Sequence, residues 1–355
     1  MGVFNSKFFN SEVFGKYMET VPRVKQNAFL KAGILRNRPD LKSMLTEQTG
    51  GNFISVPMAG LIGGDALNYD GSTDITATTL ETYMQSMIVV GRAKAWEEKD
   101  FTRDITSHDF MEDIATQVVN YWDDVDQATI LSILKGIFGV TADSFNTKHT
   151  LDITGAGDAS KVGATTLNNA IQLAAGDNKN LFTMVIMHSA VATNLENLQV
   201  LEYFKQTDEN GIQKSVGLAT WNGRTVLIDD DTPTEAVAAV EANPSQNIEA
   251  ADAYTKYTTY VLGQGAFSYC DCGAAVPNET WRDPKTAGGK EMLITRQRKI
   301  FAPQGFSFVQ PSSAIVSPTD TQLETAARWT VVKDSAGTGY YNTKAIPFAR
   351  IISRG

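Results

Sequence analysis

Apolar residues recur at Met111, Ile114, Val118, Trp122, Val125, Ile133 and Ile137, with Thr129 filling the one gap. Steps of three and four draw a single stripe along a helix of 3.6 residues per turn. The pattern predicts one long amphipathic helix from Asp109 to Phe138. Asp109 and Glu112 have the spacing of a capping box, in which each side chain bonds a backbone N–H at the helix start. Gly136 and Gly139 mark the exit. A helix of this span would run roughly 45 Å at its usual rise per residue. Asp113, Asp123, Asp124 and Asp126 lie inside it, which excludes a membrane span.

The stretch before the helix has a different pattern. Asn52 to Met58 reads as extended, with Pro57 pointing to an edge position. Ile75 to Ala95 is a second β-rich run of threonine, tyrosine, methionine, isoleucine and valine. Between them lie the turn-rich segments 59–65 and 68–74. The prediction is a long hairpin with a Gly/Asp/Thr tip and little core of its own, because an isolated two-stranded ribbon is marginal in water. Such a hairpin is either a flap over an active site or an arm laid on another subunit. Residues 1–48 crowd Phe4, Phe8, Phe9, Val13, Phe14 and Tyr17 together, and Pro22 and Pro39 interrupt any long helix. This is an arm more than a domain, and its aromatic surface must pack on the main body or a neighbouring chain.

After the helix, 141–162 reads as polar loop. Thr165 to Ala175 reads as a short helix closed by Gly176, and Leu181 to Met187 as a buried strand. Ser189 is placed to cap the next helix, with Val191, Leu195 and Leu198 on its face. Val216–Trp221 and Arg224–Ile228 flank Asn222-Gly223, a hairpin signal. Residues 234–252 read as a surface insertion. Strands are predicted at Tyr254–Leu262, Ala266–Tyr269, twice within 279–308, at Trp329–Val332 and at Ile346–Ile352. Arg296, Arg298 and Lys299 partly alternate with the apolar positions of Met292–Phe301. A short helix is expected from Thr319 through Leu323.

The net charge of −9 argues against a nucleic-acid reader and against a polybasic membrane binder. The charge is uneven: residues 1–50 carry eight Lys/Arg and four Asp/Glu, about +4, leaving about −13 on the rest. Cys270 and Cys272, one residue apart, are poorly placed for a disulfide. The chemistry of catalysis is sparse. His108, His149 and His188 have no partner at metal-ligand spacing. His108 reads as a helix-start residue and His188 as the end of a strand. Gly288-Gly289-Lys290 lacks the rest of a phosphate loop, and Gly155-Ala156-Gly157 and Gly263-Gln264-Gly265 each lack the third glycine of a dinucleotide fingerprint. The run Asp229-Asp230-Asp231 reads as a solvated strand end ahead of a cation site. No catalytic, cofactor-binding or metal residues are nominated, and the balance favours a structural protein over an enzyme.

Arm, long turn-tipped hairpin, long helix, then an α/β region returning through strands: this order resembles the major capsid proteins of tailed bacteriophages, with the Hong Kong 97-type fold. Val185-Ile186-Met187-His188-Ser189 resembles that family's strand into a short helix. The segment from Ala219 through Trp221-Asn222-Gly223-Arg224 to Asp230 is similar to a hairpin common in phage coat sequences. Pro318-Thr319 through Trp329, ending at Ile346-Pro347, resembles a closing segment of one subgroup. The resemblance implies an α+β fold with an N-terminal arm (1–48), an extended loop (49–103), a peripheral domain with the spine helix (104–162), an axial domain (163–293) and peripheral return strands (294–355). It implies a coat protein that self-assembles through hexamers and pentamers into an icosahedral virion shell around double-stranded DNA, built in the host bacterial cytoplasm. A separate scaffolding protein, a portal and a decoration protein are the expected partners, with no cofactor, no membrane and no tight DNA binding. An encapsulin-like compartment and a soluble enzyme with a hairpin flap are the alternatives. Some relatives join a loop lysine to a neighbour's asparagine. This sequence has no lysine between Lys42 and Lys94, so a non-covalent shell is expected.

Overall fold

A computed structural model describes residues 29, 32–47, 52–60, 66, 68, 69, 71, 82–99, 111–207, 213–239, 252–286, 289–311, 315–334, 337 and 339–354. In chain order the strands and α-helices are β1 (Leu35–Asn37), α1 (Asp40–Glu47), β2 (Phe53–Ala59), β3 (Thr82–Lys99), α2 (Met111–Ile137), α3 (Phe145–Lys148) and β4 (Thr150–Asp152). Then come α4 (Thr166–Ala175), β5 (Phe182–Met187), α5 (Ser189–Asn197), β6 (Leu201–Thr207), β7 (Gln213–Trp221), β8 (Arg224–Ile228) and β9 (Thr234–Val237). The chain continues through β10 (Tyr254–Gly263), β11 (Phe267–Asp271), β12 (Asn278–Asp283), β13 (Lys290–Pro303) and β14 (Phe306–Phe308). It ends with α6 (Asp320–Glu324), β15 (Trp329–Val331) and β16 (Phe348–Ser353).

Two large sheets organise these elements. One has the order β1-β11-β13-β3-β2, with β12 also on β13. The other has the order β4-β16-β10-β5-β8-β7-β6, with β9 on β10. Sheet membership is not sequential. β4 and β16, from either side of the 163–293 segment, pair in the second sheet, whereas β11 and β12 from within that segment pair in the first. The segment 141–162 is more ordered than its polar composition suggests, because β4 pairs with β16 in parallel from Thr150 to Asp152.

The second sheet is buried on both faces, which explains the unbroken apolar run of β5. On one face α4 and α5 bring Leu167, Ile171, Val191 and Leu195 against Val185, Met187, Val261 and Ile351. On the other, Met184, Ile186, Tyr260, Leu262 and Phe348 meet Ile130, Leu134, Ile137 and Phe138 of the spine segment. The turn between β7 and β8 has Asn222 at φ 50° and Gly223 at φ 76°, the left-handed pair that two-residue hairpins require.

The spine helix α2 is observed where the periodicity places it, and Asp109 of the expected capping pair lies outside the described residues. Its expected single stripe is too narrow. Val118, Trp122, Thr129, Ile133 and Ile137 are buried, but so are Val119, Asp123, Asp126, Gln127, Ile130, Leu131 and Leu134. The helix is enclosed by both sheets, and its solvent face narrows to a stripe through Gln117, Asn120, Asp124, Ala128 and Lys135. Gly136 is a point of close approach. A Cβ built there would stand 2.1 Å from the Leu323 carbonyl oxygen and 2.7 Å from Trp329 Nε1. The glycine admits α6 and the Trp329 indole, whose Nε1 donates to the Leu323 carbonyl at 2.7 Å.

Candidate functional site

The long strand β3 is shared between two partners, and this division builds the hairpin. Its first part, Thr82 to Ile88, pairs with β2, and its second, Val89 to Lys99, pairs with β13. Pro57 sits on β2, at the edge of that sheet, as its missing N–H predicts. The expectation that the hairpin has little core of its own needs correcting at its base. Ile54, Val56, Met87 and Val89 are buried with Leu41 of α1, Cys270, Ile300 and Ala302.

Hydrogen bonds fix that base to the return strands. The buried Gln85 amide donates to the carbonyls of Pro303 at 2.7 Å and Phe306 at 3.0 Å. The Gly91 N–H donates to Ser317 Oγ at 3.0 Å, and Arg92 reaches the Pro318 carbonyl at 2.8 Å and Asp320 at 2.6 Å. Most of the tip, 61–81, lies outside the described residues. Of those described there, Ala66, Asn68, Tyr69 and Gly71 are all exposed, and Tyr69 shows 88% of its surface. An aromatic ring left in water is an unspent contact surface.

Across the spine helix runs a polar seam that the sequence pattern hides. Thr295, Gln297 and Lys299 alternate along β13 and so share one face. Trp122 Nε1 donates to Thr295 Oγ1 at 3.1 Å, and Gln297 donates to Asp126 at 3.1 Å. Lys299 completes the set as a buried ion pair with Asp126. The next residue along the helix, Gln127, donates to Asp229 at the end of β8. The seam therefore ties α2 both to the sheet that carries the hairpin and to the second sheet. Buried polar groups of this kind hold their partners at one register only, since any slip leaves a charge or amide unpaired.

The acidic run is structural here. Asp229 is buried and also accepts the Asp231 N–H at 3.0 Å, while Asp230 accepts the Ser189 N–H at 3.1 Å. Among the described residues no group of three or more His, Cys, Asp or Glu side chains has metal-binding geometry. Cys270 and Cys272 are free thiols, and burial pushes Cys272 up to about 12. His108 lies outside the described residues. His188, not Ser189, is the cap of α5, its Nδ1 accepting the Ala190 N–H at 3.1 Å. The loop glycines are dispersed: Gly265 and Gly157 have positive φ beside open space, whereas Gly263 packs against Leu181 and Pro347.

His149 is a strongly perturbed histidine. It is 1% exposed, stacked on Phe145 at 4.4 Å, and its Nδ1–H donates to the Phe348 carbonyl at 2.7 Å. Burial drives its pKa down to about 4, only partly opposed by that carbonyl. The unfolded chain, titrating near 6.5, binds the extra proton first, so stability is intact above pH 6.5 and falls as pH drops toward 4. Between pH 7 and pH 5 the unassembled subunit should lose about 2 kcal/mol from this group. Urea unfolding of the native chain and His149→Gln at both pH values checks this. The variant should show a shallower pH slope, and an equal slope would refute the assignment.

No protein-family model matches the sequence. The chain is 25% identical over 323 residues to the major capsid protein of Bacillus phage SPP1, covering 91% of this chain and 92% of that one. Among solved structures it is similar to the capsid of Helicobacter pylori bacteriophage KHP30, with TM-score 0.52 and 11% identity over 90% of this chain and 87% of that one. It is also similar to the head of Helicobacter pylori bacteriophage KHP40, with TM-score 0.51 and 9% identity over the same shares. Hairpin, spine helix and paired sheets thus have the Hong Kong 97-type α+β fold of these phage capsid structures. With the full-length sequence relative beside that fold, the chain is a major capsid protein, the coat subunit of a phage head shell.

Proposed function

We propose that the shell is icosahedral, assembled from hexamers and pentamers of this chain around double-stranded DNA, and that the chain performs no catalysis. The observation that supports this best is the relative matched along nearly its whole length, together with a hairpin whose base is anchored and whose described tip residues are exposed. In this reading 1–48 is the arm, 49–103 the extended loop, 104–162 the spine-bearing peripheral domain, 163–293 the axial domain and 294–355 the peripheral return. DNA is enclosed without tight binding, since a −9 chain has no strong phosphate footprint. A separate scaffolding protein, a portal and a decoration protein are its partners.

Negative-stain microscopy of the purified chain, with a scaffold where needed, tests the assembly. Closed shells tens of nanometres across are expected, and nuclease-protected DNA in particles from infected cells separates a virus from a cargo compartment. The shell is held without covalent links. Lys94 is exposed at the hairpin base, and the stretch from Lys42 to it supplies no amine. Mature particles boiled in detergent and reductant should run as one band near 38.6 kDa. A ladder of dimers, pentamers and hexamers would refute the non-covalent shell.

A further inference from the structure

Between the spine helix and the second sheet lies a cleft of about 600 Å³. That is within the size of a small-ligand pocket, roughly 300–1,000 Å³. Its walls mix apolar surface, from Leu131, Tyr260 and Ile352, with charge. Lys135 at the rim is bound to Glu324 at 2.5 Å, and Lys256 to Glu235 at 3.4 Å. Arg350 differs from both. It is half-buried on β16, its guanidinium lies 5.0 Å over the Phe138 ring, and its Nε donates to Thr150 Oγ1 at 3.2 Å. Among the described residues no carboxylate pairs with it. Asp152, on the strand beside it, acts on it through its charge at longer range, while its own hydrogen bonds come from the Thr154 N–H at 2.9 Å and hydroxyl at 2.7 Å.

A guanidinium in a cleft wall, held by stacking and by one hydrogen bond through Nε, has the fork that matches a carboxylate. We propose that this cleft binds a single carboxylate group on Arg350, carried by a ligand with a short apolar body. The rim decides against a polyanion. Asp231, Glu235 and Glu324 surround the entrance, and a phosphate backbone would face all three. One carboxylate can pass between the two lysine–carboxylate pairs and meet the Arg350 guanidinium, which has no ion-pair partner among the described residues. The apolar wall then covers the rest of the ligand. This reading does not depend on the shell.

The test uses the full-length unassembled subunit and a fluorescein-labelled pentapeptide with a central glutamate between two leucines, followed by anisotropy. Glutarate is the free small-acid arm, and a short DNA duplex the polyanion arm. Saturable binding of the peptide or of glutarate is expected, and which one binds distinguishes a protein side chain from a free acid. The glutamine analogue of the peptide, and the subunit variants Arg350→Gln and Ala128→Phe, should each weaken binding at least tenfold. Ala128 is exposed on the spine helix at the cleft wall, so a larger side chain there fills the cleft while leaving Arg350 in the sequence. If Arg350→Gln fails to fold by circular dichroism, Ala128→Phe decides alone. Absence of binding by both acids, equal binding of the glutamine analogue, unchanged binding by Ala128→Phe, or displacement by the duplex would overturn the proposal.

Discussion

Deleting Gly63 to Ser72 should leave a folded, monomeric subunit that no longer forms shells. Among the described residues, the contacts that hold the hairpin to the subunit lie below that stretch. The eleven pairs between β3 and β13 begin at Val89, and the β2–β3 ladder ends at Ala59 and Thr82. Gln85, Gly91 and Arg92 hold the base from below that point. The buried cluster of Ile54, Val56, Met87 and Val89 is likewise untouched. What the deletion removes is the surface that includes Tyr69, which contacts little within its own chain. A shell is held by many weak contacts acting together, so loss of one contact from every subunit is multiplied over the lattice. Far-UV circular dichroism should stay near normal while microscopy shows no closed particles. Unfolding of the monomer, or normal shells, would each refute an intersubunit role for the tip.

Features carried by local chemistry were legible in the sequence. Asn222-Gly223 specifies its turn through left-handed backbone, and the apolar run of β5 is buried on both faces as it reads. The spine helix was legible as an element but not in its surroundings. Pattern reading takes polar residues as solvent-facing, and that rule fails at Asp126, Gln127, Thr295 and Lys299. Each is buried because its partner arrives from a distant part of the chain: Asp126 and Lys299 are 173 positions apart. Lys299 looks like Arg296 and Arg298 in the sequence, yet Arg296 pairs with Glu279 at an exposed site while Lys299 is 2% exposed. Sheet membership fails for the same reason. β4 and β16 are 200 positions apart at Thr150 and Arg350, and nothing local to either announces the pairing. His149 carries no motif at all, and only the packing of Phe145 and β16 around it gives it a perturbed pKa.

Trp122 is where the spine and the polar seam meet, and its truncation should be the most costly single change among those considered. The side chain is 5% exposed, with its ring edge against Tyr121 at 5.3 Å. Trp122→Ala should destabilise the unassembled subunit by about 3–5 kcal/mol through lost burial and the cavity left behind. The upper part of that range is expected, because Thr295 is 1% exposed and loses the Nε1–H that its hydroxyl accepts. An orphaned buried hydroxyl adds about 1–3 kcal/mol of its own. Trp122→Phe separates the two causes: it keeps an aromatic ring in the site and removes the hydrogen bond, so its loss should be the smaller. Urea midpoints of the three proteins at pH 7.5, above the His149 transition, measure both steps. An unchanged midpoint in Trp122→Ala would move the residue to the surface and dissolve the seam. If the order holds, the same substitution should also impair shells. It loosens β13 from the helix, and β13 is the strand on which the hairpin base is built.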